Sequence, residues 1–134
     1  KKVEQRITII RTRRSPYWEI NEELQWVGNC LGLFSERDRD KSCFRLFLNL
    51  LHDAKEGGGL SSEELAQRTG LSRGTVVHHL HRLISAGLVV EEREKYFLRE
   101  RNIEGLMQEV QRDMELFFQE MQKAAKEIDK KLMR

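Results

Sequence analysis

The sequence predicts a mainly α-helical fold with a small β component, and three features of its 134 residues support this prediction. Apolar residues recur at the three- and four-residue spacing of helices through most of the chain. Residues that cap helices, Ser or Asn at the start and Gly at the end, separate these stretches. Residues 88–98 differ, because two short apolar runs flank a charged tip there, which is the pattern of a two-stranded hairpin.

The composition favours one domain with appended elements. Charged residues make up 34% of the chain and hydrophobic residues 39%, which is enough apolar surface for one core. No run approaches the roughly 18 to 20 apolar residues that span a bilayer, and the N-terminus lacks an apolar secretory segment. We therefore expect a cytoplasmic protein without membrane contact. The net charge of +2 does not by itself indicate nucleic acid as a partner.

Residues 1–20 are expected to form an N-terminal β extension. Val3–Thr12 is rich in β-branched residues, and Tyr17–Ile20 could pair back on it, which predicts a strand or hairpin. The first 14 residues hold six Lys or Arg against one Glu. Some of these cations could form an arm that contacts DNA phosphates, and a solvated edge strand explains them equally well. The cations in question are Arg6, Arg11, Arg13 and Arg14.

Two helices are expected before the glycine-rich stretch at 57–59. Asn21 can cap the first, which would run to about Phe34 with an apolar stripe along one side. The second would begin after Ser35, where Ser35-x-x-Asp38 resembles a capping box, and would end at the glycines. It contains the most apolar stretch of the chain and is the predicted centre of the core.

A pair of short helices follows. Ser61, with a Glu three residues later, forms a capping box for the first helix, and Gly70 suits its end. Ser72 can cap the second helix, which would run over about 73–86 and end at Gly87. Two short helices joined by a Gly-containing turn predict a helix-turn-helix.

The second helix of this pair has two different faces. At about 100° per residue, its large apolar residues fall on one side, with His79 packed at the edge of that side. The opposite side carries hydrogen-bonding groups and one fixed positive charge, and no carboxylate occurs between Ser72 and Gly87. Such a face is suited to a polyanion. The residues predicted to contact DNA are Ser72, Arg73, Gly74, Thr75, His78, His81 and Arg82.

The hairpin at 88–98 directly follows this pair, and a helix-turn-helix followed by a small hairpin predicts a winged helix over residues 21–101. The tip offers Arg93 and Lys95 to a phosphate backbone, and both belong to the predicted DNA contacts. Glu91, Glu92 and Glu94 lie beside them. We therefore expect a short wing with weak attraction to DNA.

Residues 102–134 are expected to form a dimerisation helix. Asn102 caps it, and its apolar residues follow a heptad repeat. A helix of this length has more apolar surface than a small domain can cover, which predicts a homodimer. A hairpin with the first helix inside one chain is the alternative, and the two arrangements could combine. The predicted dimer interface comprises Leu24, Val27, Leu31, Ile103, Met107, Val110, Met114, Phe117, Met121 and Ile128.

Together these residues resemble the ArsR-type winged-helix transcriptional regulators, with the MarR and TrmB groups as close alternatives. The resemblance lies in Leu-x-x-x-Leu-Leu at 46–51, in Ser-Glu-Glu-Leu-Ala at 62–66 and above all in Thr-Val-Val-His-His-Leu-His-Arg-Leu-Ile-Ser-Ala-Gly-Leu-Val at 75–89. It implies that the first and last helices form the dimer and that Arg82 lies near phosphate. It also implies that the major groove is faced by Arg73, Gly74, Thr75, His78 and His81.

No cofactor, metal site or catalytic centre is expected. Metal-sensing members of the resembled family carry a Cys-rich segment or Asp and His ligands on the last helix, whereas no His follows His81 here. Cys30 and Cys43 lack the spacing of a metal or redox motif, so we expect two buried thiols. The sequence also lacks a nucleophile motif and a phosphate-binding glycine loop, so we do not expect an enzyme.

Two functional hypotheses follow from the sequence. The first is a homodimeric, sequence-specific transcriptional regulator that inserts residues 73–86 into the major groove of double-stranded DNA. The second is a winged helix that contacts another protein in a macromolecular assembly. The acidic wing and the small net charge favour the second hypothesis, and the carboxylate-free helix face favours the first.

Overall fold

A computed structural model describes residues 4–14, 16, 19–34 and 41–133. Within these ranges the chain forms five helices and a two-stranded antiparallel sheet, which confirms the mainly helical class with a small β component. The elements in chain order are α1 (Ile20–Cys30), α2 (Ser42–Ala54), α3 (Ser62–Thr69), α4 (Arg73–Ser85), β1 (Val89–Glu92), β2 (Lys95–Leu98) and α5 (Ile103–Leu132).

Helix α2 lies at the centre of the core, as its apolar sequence predicts. Its residues Cys43, Leu46 and Leu50 are buried. Leucines from α3, α4, the hairpin and α5 pack into the same cluster, so one core joins these elements. The helix begins at Ser42, and the capping box predicted at Ser35 lies outside the described residues.

Helix α1 ends at Cys30, four residues before the predicted end at Phe34. Gly32 adopts a left-handed φ of 70°, and the Leu33 amide donates to the Gly28 carbonyl at 2.9 Å. These two features form a glycine-terminated helix end, which turns the chain away from the helix axis. The Phe34 ring then folds back over Gly28, at the edge of the core.

The prediction of an N-terminal strand is wrong for residues 4–14, where the structure has no β ladder. The Arg6 amide donates to the Ser85 carbonyl at 2.8 Å, and the Ile10 amide donates to the Cys30 carbonyl at 2.6 Å. Carbonyls in the last turn of a helix lack partners within the helix, so α4 and α1 offer the acceptors that a neighbouring strand would have offered. Of the second predicted strand, Tyr17–Ile20, residues 17 and 18 lie outside the described residues, and Ile20 belongs to α1. We call residues 5–10 the N-terminal strap.

Strands β1 and β2 form the predicted hairpin, in which Glu92 pairs with Lys95. The two turn residues, Arg93 and Glu94, both have positive φ, 53° and 65°. This is the backbone of a two-residue hairpin turn that matches the twist of the strands. Leu60 and Tyr96 exchange backbone hydrogen bonds of 3.1 and 2.8 Å, which fix the hairpin to the segment before α3.

Helix α5 has an inner half and an outer half. Asn102 caps it by accepting a hydrogen bond of 2.7 Å from the Gly105 amide, as predicted. Leu106 and Val110 are buried in the core. From Glu115 onward every described residue of the helix is exposed, so this part extends beyond the core.

Candidate nucleic-acid interface

Hydrogen bonds cap both ends of α3, which precedes α4. Ser61 and Glu64 form the predicted capping box, with hydrogen bonds of 3.1 Å in both directions. The bond from the Ser61 amide lowers the pKa of the Glu64 carboxyl. Gly70 ends α3 with a φ of 74°, and Arg45 of α2 donates to the Thr69 carbonyl at 2.6 Å. The turn is therefore capped by residues of α3 and by a cation from the core helix.

The inner face of α4 anchors this helix in the core. Val76, Leu80 and Leu83 are at most 1% exposed. His79 is 7% exposed, and its Nε2 lies 2.9 Å from the Ser42 hydroxyl at the start of α2. The prediction that His79 is a packed histidine is confirmed. Because four inward side chains hold α4, its opposite face is fixed in orientation.

The outer face of α4 carries most of the predicted DNA contacts. Ser72 accepts a hydrogen bond from the Thr75 amide at 3.2 Å and caps the helix, as predicted. Arg73, Gly74, His78 and His81 are exposed. A side chain built on Gly74 would contact nothing within 4 Å, so the backbone is open to approach at the first turn. The structure thus places these residues together on one exposed surface.

Arg73 has an acidic neighbour that the sequence did not reveal. Its guanidinium lies 3.7 Å from a carboxylate oxygen of Glu63 on α3, and both side chains are more than two-thirds exposed. An exposed pair of this kind is weak, since water screens both charges. Arg73 can therefore exchange this carboxylate for another anion at little cost.

Arg82 is hydrogen-bonded to the backbone at the end of α1. Its Nη2 donates to the carbonyls of Gly32 and Leu33, at 2.9 and 3.3 Å. The sequence gave no sign of this, because the partners lie about fifty positions away and are backbone atoms. Arg82 thereby joins α4 to the end of α1, and its proximity to phosphate stays a prediction.

The hairpin tip presents both signs of charge. Arg93 in the turn and Lys95 at the start of β2 are both exposed. Glu91, Glu92 and Glu94 are exposed around them. Burial, followed by the charge of Glu91, raises the pKa of Tyr96, which keeps its hydroxyl protonated. The tip is therefore not a strongly cationic element.

A groove runs beside the C-terminal half of α4, and the strap forms its other side. Nothing in the sequence indicated this contact, because it joins residues about eighty positions apart. The residues that line the groove include no carboxylate. They are Arg6, Thr8, Leu31, Gly32, Leu33, His78, His81, Arg82, Ser85 and Ala86.

The residues predicted for a dimer interface divide into three groups. Val110 is 4% exposed in the core of its own chain, so it is not a surface residue. Six others are partly buried in the same chain, where they pack on the core or line a small apolar cavity between α1 and α5: Leu24, Val27, Leu31, Ile103, Met107 and Met114. Phe117, Met121 and Ile128 on the outer half of α5 are 56%, 41% and 55% exposed. The exposed part of the predicted interface is therefore confined to the outer half.

Three further findings concern metal sites, the thiols and membrane-spanning helices. Among the residues that the structure describes, no group of three or more His, Cys, Asp or Glu could hold a metal ion. Cys43 is buried, as predicted for both thiols, whereas Cys30 is only partly buried. None of the helices in the described ranges is long and apolar enough to cross a membrane.

Comparison with known proteins agrees with the arrangement of α3 and α4. Residues 40–92 match the family model of a helix-turn-helix domain, and this segment includes α2, α3, α4 and β1. No curated protein and no solved structure matches the chain. Residues 40–92 are therefore similar to a helix-turn-helix domain, which agrees with the helix-turn-helix that the sequence predicts within residues 21–101.

Proposed function

We propose that this protein is a sequence-specific, homodimeric transcriptional regulator that binds double-stranded DNA, with the winged-helix organisation of the ArsR-type proteins it resembles. One observation supports this most strongly. The exposed face of α4 contains hydrogen-bonding and cationic groups without a carboxylate, and it belongs to a matched helix-turn-helix domain. The second helix of such a domain lies in the major groove.

The first two turns of α4 would contact the base edges. Arg73 can donate two hydrogen bonds to a guanine, and Thr75 can offer its methyl group to a thymine or its hydroxyl to any base. His78 and His81 follow on the same exposed face and supply further ring nitrogens. Ser72 and Gly74 keep the first turn open, so phosphate can approach the amides at the helix start.

The hairpin would contribute little to the affinity. Arg93 and Lys95 are positioned to contact a phosphate backbone, but three exposed glutamates accompany them. The glutamate carboxylates repel the DNA phosphates, because both are negatively charged. Most of the specificity would therefore come from α4.

The outer half of α5 would form the centre of the dimer. Phe117, Met121 and Ile128 are exposed at heptad spacing, which is the pattern that a second helix covers. A dimer would place two copies of α4 in successive major grooves, about one helical turn of DNA apart. The division into an N-terminal extension, a winged domain and a dimerisation helix, at 1–20, 21–101 and 102–134, follows from this proposal.

A second candidate function is contact with another protein through the same fold. The exposed acidic residues of the hairpin and the net charge of +2 favour this candidate. Neither observation explains the carboxylate-free face of α4.

The salt dependence of DNA binding separates the two functions. A protein that neutralises phosphates releases counterions, so the logarithm of its affinity falls linearly with the logarithm of the salt concentration, by about 0.9 per phosphate. We expect a steep fall for a duplex chosen from random sequences by selection, and weaker binding of an unselected duplex of equal length. A flat response at micromolar protein would instead support the protein-contact function.

A further inference from the structure

The N-terminal strap is fixed to the same elements that position α4. Besides the Arg6 amide bond to Ser85, the Gln5 side chain donates to Asp113 of α5 at 2.8 Å. The Ile10 amide bond to Cys30 holds the other end of the strap at the end of α1. Three elements therefore hold a segment that has no regular secondary structure.

Two glycines leave space for the strap. Gly32 and Gly87 both have positive φ, 70° and 83°. A side chain on Gly32 would lie 2.9 Å from the Thr8 methyl group, and a side chain on Gly87 would overlap the Gln5 amide. Residues with side chains would be strained at both positions and would also force the Thr8 and Gln5 side chains of the strap to move. The fold therefore leaves space for the strap at the ends of α1 and α4.

The contacts of the strap place the exposed Arg6 at the C-terminal end of α4. Arg6 shares the carboxylate-free groove with His78 and His81. Ser85, which accepts the Arg6 amide, lies about 18 Å along the helix axis from Arg73, at 1.5 Å per residue. The major groove is about 12 Å wide. The distance from Arg73 to Ser85 is therefore longer than the major groove is wide. When the first turns of the helix contact bases, its last turn lies near the phosphates that flank the groove.

We propose that Arg6 is a phosphate contact of the DNA-binding surface, held beside α4 by the strap. This inference rests on the proposed DNA-binding function. Arg6 adds to affinity on any sequence, because a phosphate contact carries no base information. It also extends the binding surface beyond the helix-turn-helix and the hairpin to a segment that precedes both in the chain.

Arg14, at the other end of the N-terminal segment, has a different use. It forms two hydrogen bonds to the Glu23 carboxylate, of 3.0 and 2.9 Å, and its guanidinium lies 5.7 Å from the Trp26 ring centre. Because its charge is paired with Glu23 of α1, Arg14 attaches the N-terminal segment to α1 and does not add a cation to the carboxylate-free groove. The two arginines therefore provide a matched comparison.

The test compares Arg6→Ala with Arg14→Ala in DNA binding across a salt series. We expect Arg6→Ala to reduce the salt slope by about one and to weaken binding roughly three- to tenfold, equally on selected and unselected duplexes. Arg14→Ala removes the same charge and should leave the slope unchanged. Arg6→Lys keeps the charge and should retain most of the affinity.

Each other outcome has a definite meaning. Wild-type affinity and slope in Arg6→Ala would overturn the inference while leaving the proposed function intact, provided that the wild-type protein binds DNA. A loss of sequence preference in Arg6→Ala, without a change in slope, would also overturn it, because Arg6 would then contact bases. Absence of DNA binding by the wild-type protein would overturn both the inference and the proposed function.

Discussion

At the residue scale, Asp113 links three parts of the molecule. Its carboxylate accepts hydrogen bonds from Arg99 at 2.6 and 3.1 Å and from Gln5 of the strap at 2.8 Å. Arg99 follows β2 and also donates to the Gly87 carbonyl at the end of α4. The Asp113 side chain is 15% exposed, so water screens the pair only in part. The hydrogen bond from Arg99 is the main cause of a lowered Asp113 pKa.

We expect Asp113→Asn to lower the free energy of unfolding at pH 7 by about 1–3 kcal/mol, since a hydrogen bond between charged groups contributes about that much. The folded-state pKa lies below the unfolded value of about 3.9. The stabilisation is therefore fully present above the unfolded pKa and is lost as the pH falls through the folded pKa. Urea denaturation of both proteins between pH 7 and about pH 2 measures the difference.

Asp129→Asn is the control for this prediction, because it removes an exposed carboxylate from the same helix. It should change the unfolding free energy little at any pH. If the difference between wild type and Asp113→Asn were zero at pH 7, or failed to shrink in acid, Asp113 would not stabilise the junction as its contacts indicate.

Residue patterns predicted the local contacts well and the distant ones poorly. Ser61, Ser72 and Asn102 were identified as caps because each accepts a hydrogen bond from an amide three residues away. Arg82 could not be assigned, because its partners depend on how α1 ends and where that end lies. Long-range contacts of an arginine follow from packing, and no local spacing encodes them.

At the element scale, the main contrast lies within α5. Val110 on the inner half packs into the core, whereas Phe117, Met121 and Ile128 continue the heptad repeat in an exposed setting. A single apolar repeat therefore has two environments. The heptad pattern predicted an apolar face along the whole helix, but it could not show where the chain's own core ends.

We expect the proposed dimer to dissociate when exposed apolar residues on the outer half of α5 are replaced by charged residues. Phe117→Lys with Met121→Lys would place two cations in the apolar seam, where burial of a charge is costly. Light scattering at micromolar protein should change from twice the chain mass of 15.9 kDa to that mass. The variant with Gln119→Lys and Gln122→Lys adds the same charges at heptad positions outside the seam and should remain dimeric.

A wild-type protein of single-chain mass would contradict the dimer proposal. So would an unchanged dimer mass in the variant of Phe117 and Met121. Both double variants change only the exposed outer half of α5, and the core uses the inner half. Neither variant should therefore unfold the domain.

At the scale of the whole molecule, the helices and the hairpin were predictable and the N-terminal segment was not. Helical spacing and caps identified α3, α4 and α5 with small errors at their ends, because these signals lie within each element. Helical spacing also indicated α2, but this helix begins at Ser42, several residues after the cap predicted at Ser35. The β-branched residues of the segment before α1 indicated a strand, but a strand also needs a neighbouring edge. The chain instead offers the open carbonyls of α1 and α4, which the strap uses.

The same distinction applies to the candidate interface. The exposed residues of α4 were identified because an outward face is a property of one helix. The groove beside it was not, because it forms only when the strap and the end of α1 meet α4. The sequence offered Arg6 as one of four possible phosphate contacts, and the folded chain places it beside α4.

The central claim is that the exposed face of α4 contacts bases in double-stranded DNA. The most direct test measures the affinity and sequence preference of the double variant Arg73→Ala with His78→Ala on the selected duplex. Its control is Arg101→Ala with His52→Ala, which removes the same two residue types from exposed positions outside α4. We expect the α4 variant to lose about 1–3 kcal/mol of binding free energy for each good base contact and to discriminate less between sequences, while the control matches wild type. Unchanged affinity and unchanged preference in the α4 variant would contradict the claim.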